Sequence, residues 1–404
     1  MGFRVVMCKE MTWLNVTGCP RSGTTALGSA LNKSKSIAVL HEHYPKDFFD
    51  TLELLFKNQD FHTSLGGYPM FADSIIVRER DLLPIVNAIF SIVFGKAPAV
   101  IGSKFPGLQM WEKTTYPPGV ALREINIIRN PVDVVNSYVA KTDGTLSGDA
   151  ENAFCDWLNS FNYAISQRDN GDFLWLLYEE FRLNENQAIA KRVADFLKVE
   201  QDFDLAEMAS SGKKAEPNFL ENNSGQVVLD VITELFDVEN WVDDAAEKIA
   251  AGCLVGYPLP SSGKIDMTAT GNSWKYVFKG FYPAEDDGSW TKGEVGTICF
   301  TPEKNISGRL YTTLDISWSL GIHDAGTTFS IYLDDVLIGK TTLTLGASNG
   351  GSNLVIFDSP EFVQRSKSVT LRVVVGNPRN PAALGISDDN RDLGIMIRSI
   401  SFAH

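Results

Sequence analysis

The chain has 404 residues, 44% of them hydrophobic and 21% charged; this length implies two domains, and the composition excludes disorder, fibres and collagen-like repeats. The formal net charge of −14 excludes a general nucleic-acid binder and confines any polyanion site to a local basic pocket. Most of the negative charge falls within residues 1–258.

The N-terminal segment MGFRVVMCKEMTW has too short an apolar run for a secretory leader, and Val6 stands where a myristoylation signal needs Ser or Thr. The most apolar stretch, Leu82 to Phe94, is interrupted by Pro84 and Asn87 and falls short of the roughly 20 residues of a membrane span. A cytoplasmic protein without a span is expected. The five cysteines, Cys8, Cys19, Cys155, Cys253 and Cys299, are odd in number and form no CxxC pair. Neither a disulfide framework nor a zinc site is expected, and no other metal.

Thr12 to Gly18 reads as a strand that breaks at CPRSG, and Thr24 to Leu31 as a helix with Leu27, Ala30 and Leu31 on one face. Short apolar β runs follow at Ile37 to Leu40, Ala99 to Ile101 and Ile125 to Ile128. Ala153 to Ile165 carries Phe154, Trp157, Leu158, Phe161 and Ile165 at helical spacing. Phe173 to Tyr178 is a strand, and Ile189, Val193, Phe196 and Leu197 mark a helix. Strands alternating with helices predict an α/β domain, a mostly parallel sheet covered on both faces, over residues 1–257. The Pro/Ser/Gly-rich residues 258–272 read as a linker. Beyond it the period becomes two. Leu310, Leu314, Ile316 and Trp318 share a face, as do Phe329, Ile331 and Leu333, and Val369, Leu371, Val373 and Val375. This predicts an all-β antiparallel sandwich over residues 273–404.

The segment Gly18-Cys-Pro-Arg-Ser-Gly-Thr-Thr25 follows a strand and opens a helix. It therefore aims backbone N–H groups and a helix N-terminus at an anion. It differs from a nucleotide P-loop of the GxxxxGK[ST] type at one decisive position, where Thr24 replaces the Lys that a kinase places on its phosphates. The nearest cation is Arg21. In a second motif, NIIRNPVDVVNSY, Arg129 ends a β run and Ser137 lies eight residues later on a helix. Candidate acid–base and charge-bearing groups follow the other strands: His41, Glu42 and His43 after Ile37 to Leu40, and Lys104 after Ala99 to Ile101.

PRSGTT resembles the 5′-phosphosulfate loop of the sulfotransferases that use 3′-phosphoadenosine 5′-phosphosulfate (PAPS), and the Arg-x7-Ser spacing resembles their 3′-phosphate site. The resemblance covers roughly residues 12–255 and is closer to the glycan- and tyrosine-sulfating branch. It implies that Arg21 faces the phosphosulfate, that Ser22, Gly23, Thr24 and Thr25 hold the 5′-phosphate, and that Arg129 and Ser137 hold the 3′-phosphate. Glu42 matches the Glu that acts as base at a strand end in those relatives, with His41 and His43 as alternatives. Lys104, in a Lys-x-Pro segment, matches the Lys facing the sulfonate. Pro106 stands where the small-molecule branch has its catalytic His. LLYEEF resembles a strand-end motif that places Tyr178 near the adenine, and Ser211 to Lys214 offers further cations. Residues 280–296 resemble the opening of a β-sandwich attached to bacterial surface-glycan enzymes, whose aromatics Trp274, Phe281, Tyr282, Trp290 and Trp318 are either a sugar platform or core. The resemblance implies sulfonate transfer from PAPS to a glycan hydroxyl. The rivals are a P-loop kinase and a non-catalytic glycan binder with a vestigial nucleotide domain.

Overall fold

The computed structural model describes residues 11–42, 48, 82–107, 116, 119–140, 149–182, 186–206, 208, 223–319, 326–343 and 353–403. Residues 1–10, His43 and Ser211 to Lys214 lie outside them. The chain divides into two compact units, Met1–Ala250 and Ala251–His404.

In the first unit, β1 (Met11–Gly18), β2 (Ile37–His41), β3 (Val100–Lys104), β4 (Val120–Ile128) and β5 (Phe173–Leu177) form one all-parallel sheet in the order β2-β3-β1-β4-β5. Helix α1 (Thr24–Leu31) follows β1, and α2 (Leu82–Phe94) precedes β3. The helices α3 (Pro131–Val139) and α4 (Ala150–Ser166) follow β4. A 3-10 turn (Tyr178–Arg182) and α5 (Asn186–Leu197) follow β5, and α6 (Asn223–Leu235) and α7 (Trp241–Ala251) complete the unit. This is the α/β domain read from the alternation of strand and helix periods. Leu14, Val16, Ile125 and Ile127 on one sheet face pack with Leu27 and Leu31 of α1 and with Ile189 and Val193 of α5. On the other face Trp13 and Ile101 pack with Val86 and Phe90 of α2. Strand order decides where ligands go. After β1 the chain crosses toward β2, and after β4 it crosses toward β5. The order therefore reverses between the C-terminal ends of β1 and β4, where an open α/β sheet leaves a crevice.

The opposite face also carries a buried polar row. Ser103, Asn15 and Glu124 are in register across three strands. The Glu124 carboxyl accepts the Tyr163 hydroxyl at 3.0 Å, and burial pushes it up to about 7 against that hydrogen bond.

The second unit is an all-β sandwich. One sheet runs in the order β13 (Val336–Leu343), β12 (Thr327–Leu333), β15 (Val369–Val375), β10, β6, and the other β14-β11-β16-β7. Its longest strands are β11 (Ser307–Ser319), β14 (Asn353–Val363) and β16 (Leu393–Ala403). Pairing is antiparallel except between β10 (Val295–Thr301) and β6 (Tyr257–Pro258). The expected linker corrects here. Tyr257–Pro258 pairs with β10, and β7 (Lys264–Asp266) pairs with β16. Gly, Ser and Pro supply six of residues 258–272, but Ile265 and Met267, with Tyr257 just before the stretch, are buried and carry it into the sandwich. A second correction concerns Trp318. Bulges between Asp315 and Trp318 shift the register of β11, so Ser317 is fully buried and Trp318 only partly. No described helix is long and apolar enough to cross a membrane.

Candidate active site

The loop after β1 is shaped by two glycines. Gly18 has φ 143°, and a Cβ there would lie 2.4 Å from the Ile127 carbonyl oxygen of β4. Gly23 has φ 99° and would place a Cβ 2.6 Å from the Tyr178 ring. Any side chain at either position would force β4 or Tyr178 outward. Arg21, between them, adopts φ 74°, a left-handed conformation that costs a non-glycine residue about 1–3 kcal/mol. Gly23 caps α1 without a side-chain hydrogen bond, and no acidic residue lies in the helix's first turn. The first turn of α1 thus supplies neither a side-chain cap nor a carboxylate of its own to its N-terminal N–H groups and positive dipole end. Ser22 and Thr24 are buried and Thr25 is exposed.

Across the crevice, α3 begins differently. Asn130 accepts the Val132 N–H at 3.0 Å, Pro131 opens the helix, and Asp133 lies in the first turn, so this N-terminus is already satisfied. The Arg129 guanidinium, 13% exposed, ion-pairs with Asp133 at 3.1 Å. It also donates from Nη1 to the Arg21 carbonyl at 3.3 Å and lies 4.8 Å from the Tyr178 ring centroid. Arg21 in turn donates from Nε to Ser137 Oγ at 2.9 Å. The two anion motifs, far apart in sequence, thus meet at the switch point.

Two atoms here test whether the residues fit an anionic donor. Ser22 Oγ and Arg129 Nε are both buried and have no hydrogen-bond partner. Orphaned buried polar groups are uncommon; eleven such side-chain atoms occur among the described residues, including Ser103 Oγ and both Asn126 amide atoms in the first unit and Arg372 Nε in the second. Ser22 Oγ lies in the loop and Arg129 Nε in the second motif, which suits a ligand with two phosphate groups. Tyr178 is 2% exposed, and its hydroxyl donates to the Met208 carbonyl at 3.1 Å. It supports Gly23 and Arg129 from below and presents no open stacking face.

Glu42 and Lys104 meet at the ends of β2 and β3. The Glu42 N–H donates to the Lys104 carbonyl at 2.7 Å, and Lys104 Nζ donates to Glu42 Oε1 at 2.7 Å. Glu42 adopts φ 57°, which turns its side chain back toward the lysine. The lysine side chain is 1% exposed and the carboxylate 71%, so the pair presents its acidic end outward. The His41 imidazole is held below its ordinary range by partial burial first and then by the Lys104 ammonium, against the Glu42 carboxylate. Past β3 the ladder continues into the loop, with Phe105 donating to the Val16 carbonyl and Gly107 to the Gly18 carbonyl. Lys104 therefore sits one strand spacing, about 4.8 Å, from β1.

The sequence motifs did not reveal the residues that hold Arg129. The peptide unit joining Arg129 to Asn130 is bound at both ends: its carbonyl accepts from Trp157 Nε1 at 2.8 Å and its N–H donates to Glu179 Oε1 at 3.0 Å. The Asn-Pro pair was a legible helix-start signal, whereas nothing in sequence ties Glu179 or Trp157 to it. No group of metal-binding side chains occurs among the described residues.

Neither a family model nor a curated protein matches the chain. Among solved structures, the chain is similar to the sulfotransferase domain from the Curacin biosynthetic pathway, at 17% identity over 59% of this chain and 98% of that one, with TM-score 0.31. It is likewise similar to the sulfotransferase domain from the Synechococcus PCC 7002 olefin synthase, at 17% identity over 62% and 98%, with TM-score 0.31. A third similarity is to the carbohydrate-binding module CBM36 in complex with calcium and xylotriose, at 14% identity over 35% and 98%, with TM-score 0.21.

Proposed function

We propose that the first unit transfers a sulfonate group from PAPS to a hydroxyl acceptor. The observation that carries this reading is the junction of the two motifs at the switch point, where Arg21 donates to Ser137 Oγ and Arg129 donates to the Arg21 carbonyl, with Ser22 Oγ and Arg129 Nε buried and without a hydrogen-bond partner. Thr24 at the position of a kinase lysine argues against phosphoryl transfer from ATP.

The donor supplies a sulfonate on a phosphate leaving group. The open N-terminus of α1, with Ser22, Gly23, Thr24 and Thr25, holds the 5′-phosphate, and Arg21 faces the phosphosulfate. Arg129 and Ser137 hold the 3′-phosphate. The acceptor oxygen attacks sulfur, the bond from sulfur to the phosphate oxygen breaks, and adenosine 3′,5′-bisphosphate leaves. Glu42, exposed and aimed by Lys104, takes the acceptor's proton. Lys104 orients this base and brings positive charge to the sulfonate end. The expected assignment of Tyr178 to the adenine gives way to a supporting role, because the ring is enclosed.

The acceptor is read as a bacterial surface glycan, and the second unit as the module that holds it. Trp290 is core, with Tyr282 and Trp318 packed against it, whereas Trp274 is 41% exposed and offers a sugar-stacking surface. Calorimetry with adenosine 3′,5′-bisphosphate and AMP tests the donor site: much tighter binding of the bisphosphate supports it, and equal affinity removes the 3′-phosphate assignment.

A further inference from the structure

A 3-10 turn begins where β5 ends, and its first two residues, Tyr178 and Glu179, contact both motifs. Tyr178 lies under the Arg129 guanidinium and against Gly23. Its neighbour Glu179 uses both carboxylate oxygens. Oε1 accepts the Asn130 N–H at 3.0 Å, and Oε2 accepts Trp241 Nε1–H at 2.9 Å. Trp241 is itself 3% exposed. It packs on Trp157 with ring centroids 5.6 Å apart, and Trp157 donates to the Arg129 carbonyl. The Arg129–Asn130 peptide plane is thereby closed into a ring of contacts: Glu179 on its N–H, Trp157 on its carbonyl, and the two indoles packed on each other. A peptide plane held at both ends fixes the direction in which the preceding Cα–Cβ bond points. Here that bond carries the Arg129 side chain.

We propose that Glu179 is a positioning residue that fixes the distance between the 5′- and 3′-phosphate sites, and so makes the pocket selective for a 3′-phosphate over a 2′-phosphate. This rests on the reading of Arg129 as the 3′-phosphate ligand. A 2′-phosphate on the same ribose is displaced by one carbon, so selectivity depends on how tightly Arg129 is held. A carboxylate suits the task because it is acceptor-only and can take two N–H donors. Burial pushes its carboxyl above the ordinary carboxylate range, against the Asn130 and Trp241 hydrogen bonds and the nearby Arg129 charge. Glutamine at this position offers one carbonyl oxygen to two donors and would leave one of them unsatisfied.

The test uses the full chain with Glu179→Gln, and Glu179→Ala as a second variant. Two quantities are measured: hydrogen exchange of the Asn130 amide, and calorimetric affinities for adenosine 3′,5′- and 2′,5′-bisphosphate. In Glu179→Gln the Asn130 amide should exchange faster while core amides of β1 and β4 stay protected. The 3′,5′ over 2′,5′ preference should shrink roughly tenfold, as expected for one misplaced charge-assisted contact. Wild-type exchange at Asn130 together with a wild-type preference, in a variant with normal melting, overturns the proposal. If the wild-type chain binds both isomers equally, the selectivity role and the 3′-phosphate reading fall together. The exchange result then still decides whether Glu179 holds the peptide.

Discussion

Arg21 Nε donates to Ser137 Oγ at 2.9 Å, across 116 positions of sequence. Arg21 belongs to the loop after β1 and Ser137 to the second turn of α3, so this bond closes the crevice at the point where strand order reverses. It engages the loop's cation with the hydroxyl assigned to the 3′-phosphate. The two phosphate sites share a side-chain contact, and substitutions in one should be felt in the other.

Arg129→Ala should lower affinity for adenosine 3′,5′-bisphosphate by about 10–100-fold, the worth of a charge-assisted contact, and change AMP affinity far less. Ser137→Ala should show the same pattern at smaller size. Calorimetry on the two nucleotides measures both. A parallel loss for AMP would mean that Arg129 supports the loop rather than a second phosphate.

Glu42→Gln should reduce turnover by roughly 10²–10⁴-fold, the usual contribution of a general base, and leave nucleotide affinity nearly unchanged. It also removes the counter-charge of an ammonium whose side chain is 1% exposed, so melting should fall by a few degrees, equivalent to roughly 1 kcal/mol. Wild-type turnover in this variant would transfer the role to His41, whose imidazole is held below its ordinary range by partial burial, or to His43.

What was legible in the sequence follows from locality. The loop Gly18 to Thr25 and the Arg129-to-Ser137 spacing are local devices, each a strand end feeding a helix, and both stand where their pattern puts them. Glu42 and Lys104 were legible as strand-end candidates. Their mutual ion pair was not, because it depends on β2 and β3 being neighbours and on a left-handed turn at Glu42. Glu179 was invisible for the same reason. Its partners Asn130 and Trp241 lie 49 and 62 positions away, and one carboxylate in a YEEF run looks like any other. Composition misled at residues 258–272, where a few buried apolar side chains outweigh the Pro, Ser and Gly around them. At Trp318 a bulge broke the alternation on which the face assignment relied.

Glu124 gives a pH dependence. Its carboxyl is raised by burial to about 7, above the unfolded value near 4.5. The native chain therefore binds more protons there than the unfolded chain between those values. Stability should fall as pH rises from about 4.5 to about 7 and level off above, by up to about 3 kcal/mol. Glu124→Gln should flatten this slope and melt higher than wild type at pH 8. Identical pH–melting curves for the two proteins would show that Glu124 titrates normally.

Division of the chain should follow the contacts. Residues 1–250 alone should fold, melt cooperatively and bind adenosine 3′,5′-bisphosphate as the full chain does. A fragment ending at Ser262 carries Tyr257–Pro258 away from its partner strand β10 and should be the less well-behaved of the two. Transfer by residues 1–250 to a small acceptor should persist, whereas transfer to a polymeric glycan should drop as the effective concentration supplied by the second unit is lost. Aggregation of residues 1–250 would contradict an independent first unit.

The most direct measurement is transfer itself. The full chain is incubated with radiolabelled PAPS and a panel of glycans in excess EDTA, and both adenosine 3′,5′-bisphosphate and labelled glycan are quantified. The account predicts equal amounts of the two products and no requirement for magnesium, because Arg21 and Lys104 supply the positive charge. Absence of bisphosphate release with every acceptor, together with magnesium-dependent turnover of ATP, would contradict it.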